Sequence, residues 1–301
     1  MSLRAAATTI ALRALAKPLL ARIQDPGFAR SSFELAARFI FRPAPNALYL
    51  PAPPGANAGL WISSGRVAPR RVILYLHGGA YIAGSPHTHR EMIARISRRS
   101  GLRVFAPDYP LVPEAVAPAA FDAALSAWRG LVAIGYRPSD IVLGGDSAGG
   151  GLALALLGRL CAEGTPPAGL FAFSPWTDLT LSGRSLQANA AKDPLLPAGR
   201  VAEIRDMVIG SLAPEDPRIS PVFARFPGCP PVFLQASESE ILRDDTLRMA
   251  ERLKAEGARV TVDLWPPLPH VWPILYGHIP EAAPALDRIA AFLRGLTPLA
   301  R

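Results

Sequence analysis

The chain has 301 residues, half of them hydrophobic, and a mean hydropathy of +0.21. That is enough apolar material for a sizeable core and excludes a disordered chain. The net charge is +8 and the isoelectric point about 10.1, but the arginines are scattered apart from Arg70-Arg71 and Arg98-Arg99, with no basic run interleaved with aromatics, so no nucleic-acid partner is expected.

At the N-terminus, residues 1–20 are Ala-rich, but Arg13 and Lys17 interrupt the apolar stretch that a secretory signal peptide needs. Leu12, Leu15, Leu19 and Ile23 recur every three to four residues, which predicts an amphipathic helix whose apolar face packs on the rest of the protein. No run of about 18 uncharged apolar residues occurs, so no membrane span is expected. Ala47-Leu50 and Leu60-Ser63 read as two edge strands. Short buried strands follow at Val72-Leu76, Arg103-Ala106, Ile141-Gly144, Leu170-Phe173, Val232-Gln235 and Val260-Leu264. Between them lie helical stretches at His89-Arg99, Pro118-Ile134, Ala148-Ala162 and Asp245-Glu256, with Gly164 and Gly257 at C-terminal cap positions. This alternation predicts an α/β fold with a mostly parallel sheet and helices on both faces. Residues 181–214 break the alternation as a helical, proline-punctuated insertion, the usual material of a lid. The two cysteines, Cys161 and Cys229, lack the spacing of a metal site or a disulfide framework; they are expected to be buried thiols in a cytoplasmic protein.

The strongest chemical signal is Gly145-Asp146-Ser147-Ala148-Gly149, a G-x-S-x-G pentapeptide between a predicted strand and a predicted helix. A serine on so sharp a turn needs glycine two positions either side, where larger side chains would collide. The turn exposes the Ser147 hydroxyl as a nucleophile and aims the Ala148 amide at the same point. Seventy residues earlier, His77-Gly78-Gly79-Ala80-Tyr81 ends a strand. The unobstructed amides of Gly78, Gly79 and Ala80 suit an oxyanion hole, and His77 reads as a brace of that loop rather than as a base.

A base following the serine in the chain must be His270 or His278. His270 lies at a strand end, across the loop 265–269, and is favoured. The acid should follow the strand at Val232, where Glu238, Glu240, Asp244 and Asp245 compete. Glu240 is at mid-loop, within reach of an imidazole, whereas Asp244 and Asp245 suit the N-terminal cap of the next helix.

Together these segments resemble the hormone-sensitive-lipase-like (bacterial family IV) carboxylesterases of the α/β-hydrolase fold. The resemblance spans about residues 74–270. It rests on His77-Gly78-Gly79, Asp108-Tyr109-Pro110-Leu111-Val112-Pro113-Glu114, Gly145-Asp146-Ser147-Ala148-Gly149-Gly150, Ser174-Pro175-Trp176-Thr177-Asp178 and Pro269-His270-Val271-Trp272. Two departures stand out: Ala80 replaces a glycine, and the family register assigns the triad acid to Glu240 where an aspartate is usual. The resemblance implies a cap made from residues 1–45 and 181–214 over a core made from 46–180 and 215–301.

The expected activity is hydrolysis of short-chain carboxylic esters through an acyl-enzyme, with no metal or organic cofactor required. The same machinery serves lactones, amides and peptides, so these substrates are not separated by sequence. A binding-only protein, as in the plant gibberellin receptors that look like this family but lack the triad histidine, is disfavoured by the presence of His270. Tyr81, Trp176 and Trp272 are the expected walls of a closed substrate pocket. Such walls predict a preference for acyl chains of roughly two to eight carbons. The partner is then a small-molecule ester; the oligomeric state is left open, a homodimer included.

Overall fold

The structure, a computed structural model, describes residues 1–296. Its centre is an eight-stranded sheet. In chain order the strands are β1 (Ala47–Pro51), β2 (Gly59–Ser64), β3 (Val72–Leu76), β4 (Arg103–Pro107), β5 (Ile141–Asp146), β6 (Gly169–Phe173), β7 (Val232–Ser237) and β8 (Val260–Trp265). The spatial order is β1-β2-β4-β3-β5-β6-β7-β8. β1–β2 and β2–β4 are antiparallel, and the pairs from β4 to β8 are parallel. The two expected edge strands thus form the antiparallel margin of a parallel sheet.

The helices are α1 (Leu3–Ala11), α2 (Lys17–Arg22), α3 (Pro26–Ile40), α4 (Pro86–Ser100), α5 (Ala119–Ala133), α6 (Ser147–Ala162), α7 (Ser185–Ala188), α8 (Val201–Ile209), α9 (Arg243–Ala255) and α10 (Ala282–Gly295). The period of two in β3 shows why both faces of the sheet are covered. Val72, Leu74 and Leu76 join a core built with Phe121, Trp128, Leu152 and Met249 of α5, α6 and α9. Ile73 and Tyr75 point the other way, to Ile93, Ile96, Leu286 and Ile289 of α4 and α10. α4 is fixed at both ends by sequence: Ser85 and Thr88 form a reciprocal cap, and Gly101 closes the helix at φ 71°.

Three expectations need correction. Asp244 and Asp245 do not cap α9. The helix starts at Arg243, and both carboxylates bond away from it: Asp244 accepts from the Ser185 amide, Asp245 from those of Thr177 and Asp178. Cys161 is buried, but Cys229 is only half-buried; both are free thiols. The third concerns the N-terminal stripe. α1, a π-helical segment Leu12–Ala16 and α2 run on as one rod. A π-turn holds one residue more than an α-turn, so it rotates the residues beyond it by about 100°. Leu12 packs beside Ala5, Trp265 and Trp272, whereas Leu15 and Leu19 are turned outward, 74% and 52% exposed.

Candidate active site

The parallel strands end on one side of the sheet, and the chemistry collects there. β5 runs straight into α6, with Ser147 at the joint. Its φ of 52° is strained for a non-glycine residue. The flanking glycines are required by contact. A Cβ on Gly145 would meet the Gly149 carbonyl oxygen at 2.5 Å, and one on Gly149 the Leu76 and His77 carbonyl oxygens at 2.2 Å. Close approach of the elbow to the end of β3 therefore excludes side chains at both positions.

The Ser147 Oγ lies 2.9 Å from His270 Nε2, and His270 Nδ1 lies 2.7 Å from Glu240 Oε2. Glu240 follows β7 and is fully buried. Its other oxygen accepts from the Ser174 hydroxyl at 2.9 Å and the Ser237 amide at 2.7 Å. The loop after β8 brings His270 over the sheet end, followed by Val271 at φ 49°. Burial raises the Glu240 carboxyl above its ordinary value, against the His270 hydrogen bond and charge. For His270, burial disfavours the charged ring, but the hydrogen bond and charge of Glu240 outweigh it and raise the pKa above 6.5. Asp244 is ion-paired to Arg243 and is not at the imidazole. His278 bonds the Ile40 carbonyl at an exposed position, away from the serine.

The loop after β3 faces the serine. Gly79 and Ala80 both take positive φ, 122° and 56°. Among the described residues, the amides of Gly79, Ala80 and Ala148 donate to no protein acceptor. They are the groups free to meet an oxyanion. Gly78 is corrected: its amide donates to Asp146 Oδ1 at 3.1 Å, so it braces the loop and is not an open donor. The same Oδ1 accepts from the Tyr75 hydroxyl at 2.8 Å, and Oδ2 stands 3.3 Å from His89 Nε2. Burial works against the Asp146 charge, yet the His89 charge and these hydrogen bonds hold its carboxyl below the ordinary value. His77 braces the loop, with Nδ1 on the Gly78 carbonyl at 2.9 Å and its ring stacked on Tyr109 at 4.2 Å. Burial depresses its pKa to about 3, so the ring is neutral and unsuited to catalyse proton transfer at neutral pH.

Of the expected pocket walls, Tyr81 and Trp176 come together with ring centroids 6.4 Å apart. The Tyr81 hydroxyl donates to the Ala148 carbonyl, and the Trp176 amide to that of Ser147. An apolar cavity beside them is lined by Tyr81, Val112, Phe121, Leu152, Val208 and Ile219. Trp272 is not brought there. It is fully buried against Trp265, Leu268 and Ala5, beneath the N-terminal helix, and cannot wall that space. Sequence reasoning missed the parts played by Ser174, Asp146 and His89. The first two lie inside the quoted motifs, a usable signal; His89 carried none beyond its place at the start of α4.

This geometry, a serine bonded to a carboxylate-held imidazole beside free amides, defines a serine hydrolase on an α/β-hydrolase scaffold. Comparison with known proteins agrees. A family described by the α/β-hydrolase fold matches residues 73–274. An acetyl-hydrolase of Streptomyces hygroscopicus is 36% identical over 228 residues, 75% of this chain and 76% of its own. An esterase of Acinetobacter venetianus is 37% identical over 228 residues, 75% of each chain. A crystal structure of an esterase from the bacterial hormone-sensitive lipase family superposes with a TM-score of 0.91 at 35% identity, covering 98% of this chain and 99% of that one. The chain belongs to the hormone-sensitive-lipase-like (family IV) esterases, and it is a carboxylesterase.

Proposed function

We propose that this carboxylesterase cleaves short-chain carboxylic esters through an acyl-enzyme on Ser147. The observation that carries the reading is the continuous relay Ser147–His270–Glu240, at 2.9 and 2.7 Å, opposite three free amides. His270 Nδ1–H donates to Glu240, which leaves Nε2 to accept the Ser147 proton as Oγ attacks the ester carbonyl carbon. The amides of Gly79, Ala80 and Ala148 take the charge that develops on the carbonyl oxygen. Collapse expels the alcohol, which carries away the proton from His270. Water then attacks the acyl carbon, gives its proton to His270, and the second collapse frees the acid and restores Ser147. Glu240 stays ionised, fixing the ring tautomer and balancing the imidazolium.

Residues 1–45 and 181–214 act in this reading as a cap on the core formed by 46–180 and 215–301. Polar contacts between the two cap segments support it: Arg13 donates to the Lys192 carbonyl, Lys17 to those of Ala190 and Asp193, and Arg200 to that of Ile23. The tightly packed apolar side chains around Tyr81 and Leu152 set the far wall of the acyl site in this reading. Each added methylene helps by about 0.8 kcal/mol until the wall is met, after which overpacking reverses the trend. A hydrolysis screen of aryl esters of graded acyl length, with lactones and acyl amides alongside, tests the reading. The expected kcat/KM maximum lies at roughly two to eight acyl carbons from the same packing argument. A steady rise through the longest chains, or faster turnover of lactones or amides, would refute it.

A further inference from the structure

The N-terminal rod presents an apolar stripe to solvent. Leu3, Ile10, Leu15 and Leu19 are all exposed, Leu3 at 91% and Ile10 at 68%. Their spacings are seven, five and four residues. Five is one π-turn, so the π-helical segment Leu12–Ala16 keeps the four side chains on one line. α3 repeats the pattern: Phe28, Leu35 and Phe39, spaced by seven and four, are exposed, Phe39 at 82%. Leu12 of the rod and Phe41, just after α3, pack on the same small cluster.

The stripe is held outward. The opposite side of the rod is fastened by Ala5 in the core, by Ser2 on Glu281, and by Arg13 and Lys17 on carbonyls of the segment 190–193. It cannot turn over to bury itself without losing those contacts. Residues 1–42 contain seven cationic and two acidic side chains, so they supply +5 of the net +8; no acidic residue precedes Asp25. Arg4 and Arg22 are exposed and make no ion pair among the described residues.

An exposed apolar patch of this kind marks an interaction surface. A second copy of the chain would set like charges against each other. An acid-free helix with an apolar stripe flanked by arginines matches the surface of a bilayer rich in anionic lipid: leucines enter the acyl boundary and arginines meet the phosphates. We propose that the N-terminal helices are a peripheral docking surface for an anionic phospholipid membrane. Docking there would put the esterase against lipid-dissolved esters without any spanning segment.

The test is cosedimentation of the full chain with sucrose-loaded vesicles of phosphatidylcholine alone or mixed with phosphatidylglycerol. Binding to the mixed vesicles should exceed that to phosphatidylcholine about tenfold or more at 0.1 M salt, and fall in 0.5 M salt as screening rises. The variant Leu3→Ser/Ile10→Ser/Leu15→Ser should lose most of that binding, with hydrolysis of a soluble short ester unchanged, because these side chains support no core contact. Arg4→Gln/Arg22→Gln should keep weak binding and lose the preference for phosphatidylglycerol. No binding to mixed vesicles overturns the proposal, as does equal binding by the leucine-stripe variant. So does a dimer in sedimentation equilibrium that the stripe variant abolishes, which would assign the surface to a second copy.

Discussion

In the proposed mechanism two carboxylates act on the chemistry from different sides of the serine. Glu240 raises the His270 pKa, and burial lowers it. The free base is the active form, so the acid limb of kcat/KM reports this ionisation and is expected above 6.5. Removing the Glu240 charge leaves burial opposed only by the smaller effects of the Asp193 and Asp146 charges. Glu240→Gln should therefore move the limb to lower pH while kcat falls about 10³-fold or more through lost tautomer control. Asp244→Asn should leave both nearly unchanged, because Asp244 bonds to Ser185 and Arg243, not to the ring. An inactive Asp244→Asn beside an active Glu240→Gln would reverse the assignment. Asp146 works at the oxyanion side by holding the Gly78 amide and facing His89. Asp146→Asn keeps the shape and removes the charge. The expected result is a folded protein with KM little changed and kcat down by about 10- to 100-fold, short of the loss of one whole oxyanion donor. A rise in KM with kcat intact would mean that Asp146 shapes substrate binding instead.

At the scale of elements, most of the fold was legible. β3 is a continuous β-branched, aliphatic and aromatic run and β5 opens on Ile141-Val142-Leu143, and their observed bounds match the expected ones within two residues. The elbow was legible too, since Gly145 and Gly149 are demanded by backbone contacts that no other residue relieves. Three features were not. At α-helical spacing Leu12, Leu15 and Leu19 would share one face, but the π-turn rotates Leu15 and Leu19 out of it. Trp272 stands two residues from His270, but the left-handed turn at Val271 sends it to the other side of the loop. The Gly78 amide looked open because its acceptor, Asp146, lies 68 residues away in sequence.

Asp245, like Asp244, has surroundings that differ from the expected cap. One oxygen accepts from the amides of both Thr177 and Asp178, tying α9 to the chain after β6. Burial, aided by the neighbouring Asp178 charge, pushes its pKa up to about 7. A group raised in the folded state favours folding while protonated. Its contribution is intact below the unfolded value of about 3.9 and is lost as pH rises to about 7. Asp245→Asn cannot ionise, and its carbonyl oxygen can still accept both amides. Thermal melts should show the variant gaining on wild type between about pH 4 and pH 8, by on the order of a few kcal/mol. Parallel pH profiles would show that Asp245 is ionised throughout.

Over the whole molecule, the parallel sheet sets the ends of β3, β5, β7 and β8 on one side, so that Ser147 and His270, 123 residues apart in sequence, meet within hydrogen-bond reach. Among the described residues no helix is long and apolar enough to cross a membrane, and no cluster of three or more His, Cys, Asp or Glu is arranged to hold a metal ion. In the proposed mechanism one serine carries the acyl group between the two halves of the reaction. The direct measurement is mass spectrometry of the enzyme, acid-quenched during turnover of an aryl acetate and mapped by peptide, with Ser147→Ala in parallel. One acetyl group per chain on Ser147 and an initial burst of aryl alcohol are expected, with neither signal in a folded Ser147→Ala. Acetyl found on another residue, or near-wild-type hydrolysis by Ser147→Ala, would contradict that mechanism.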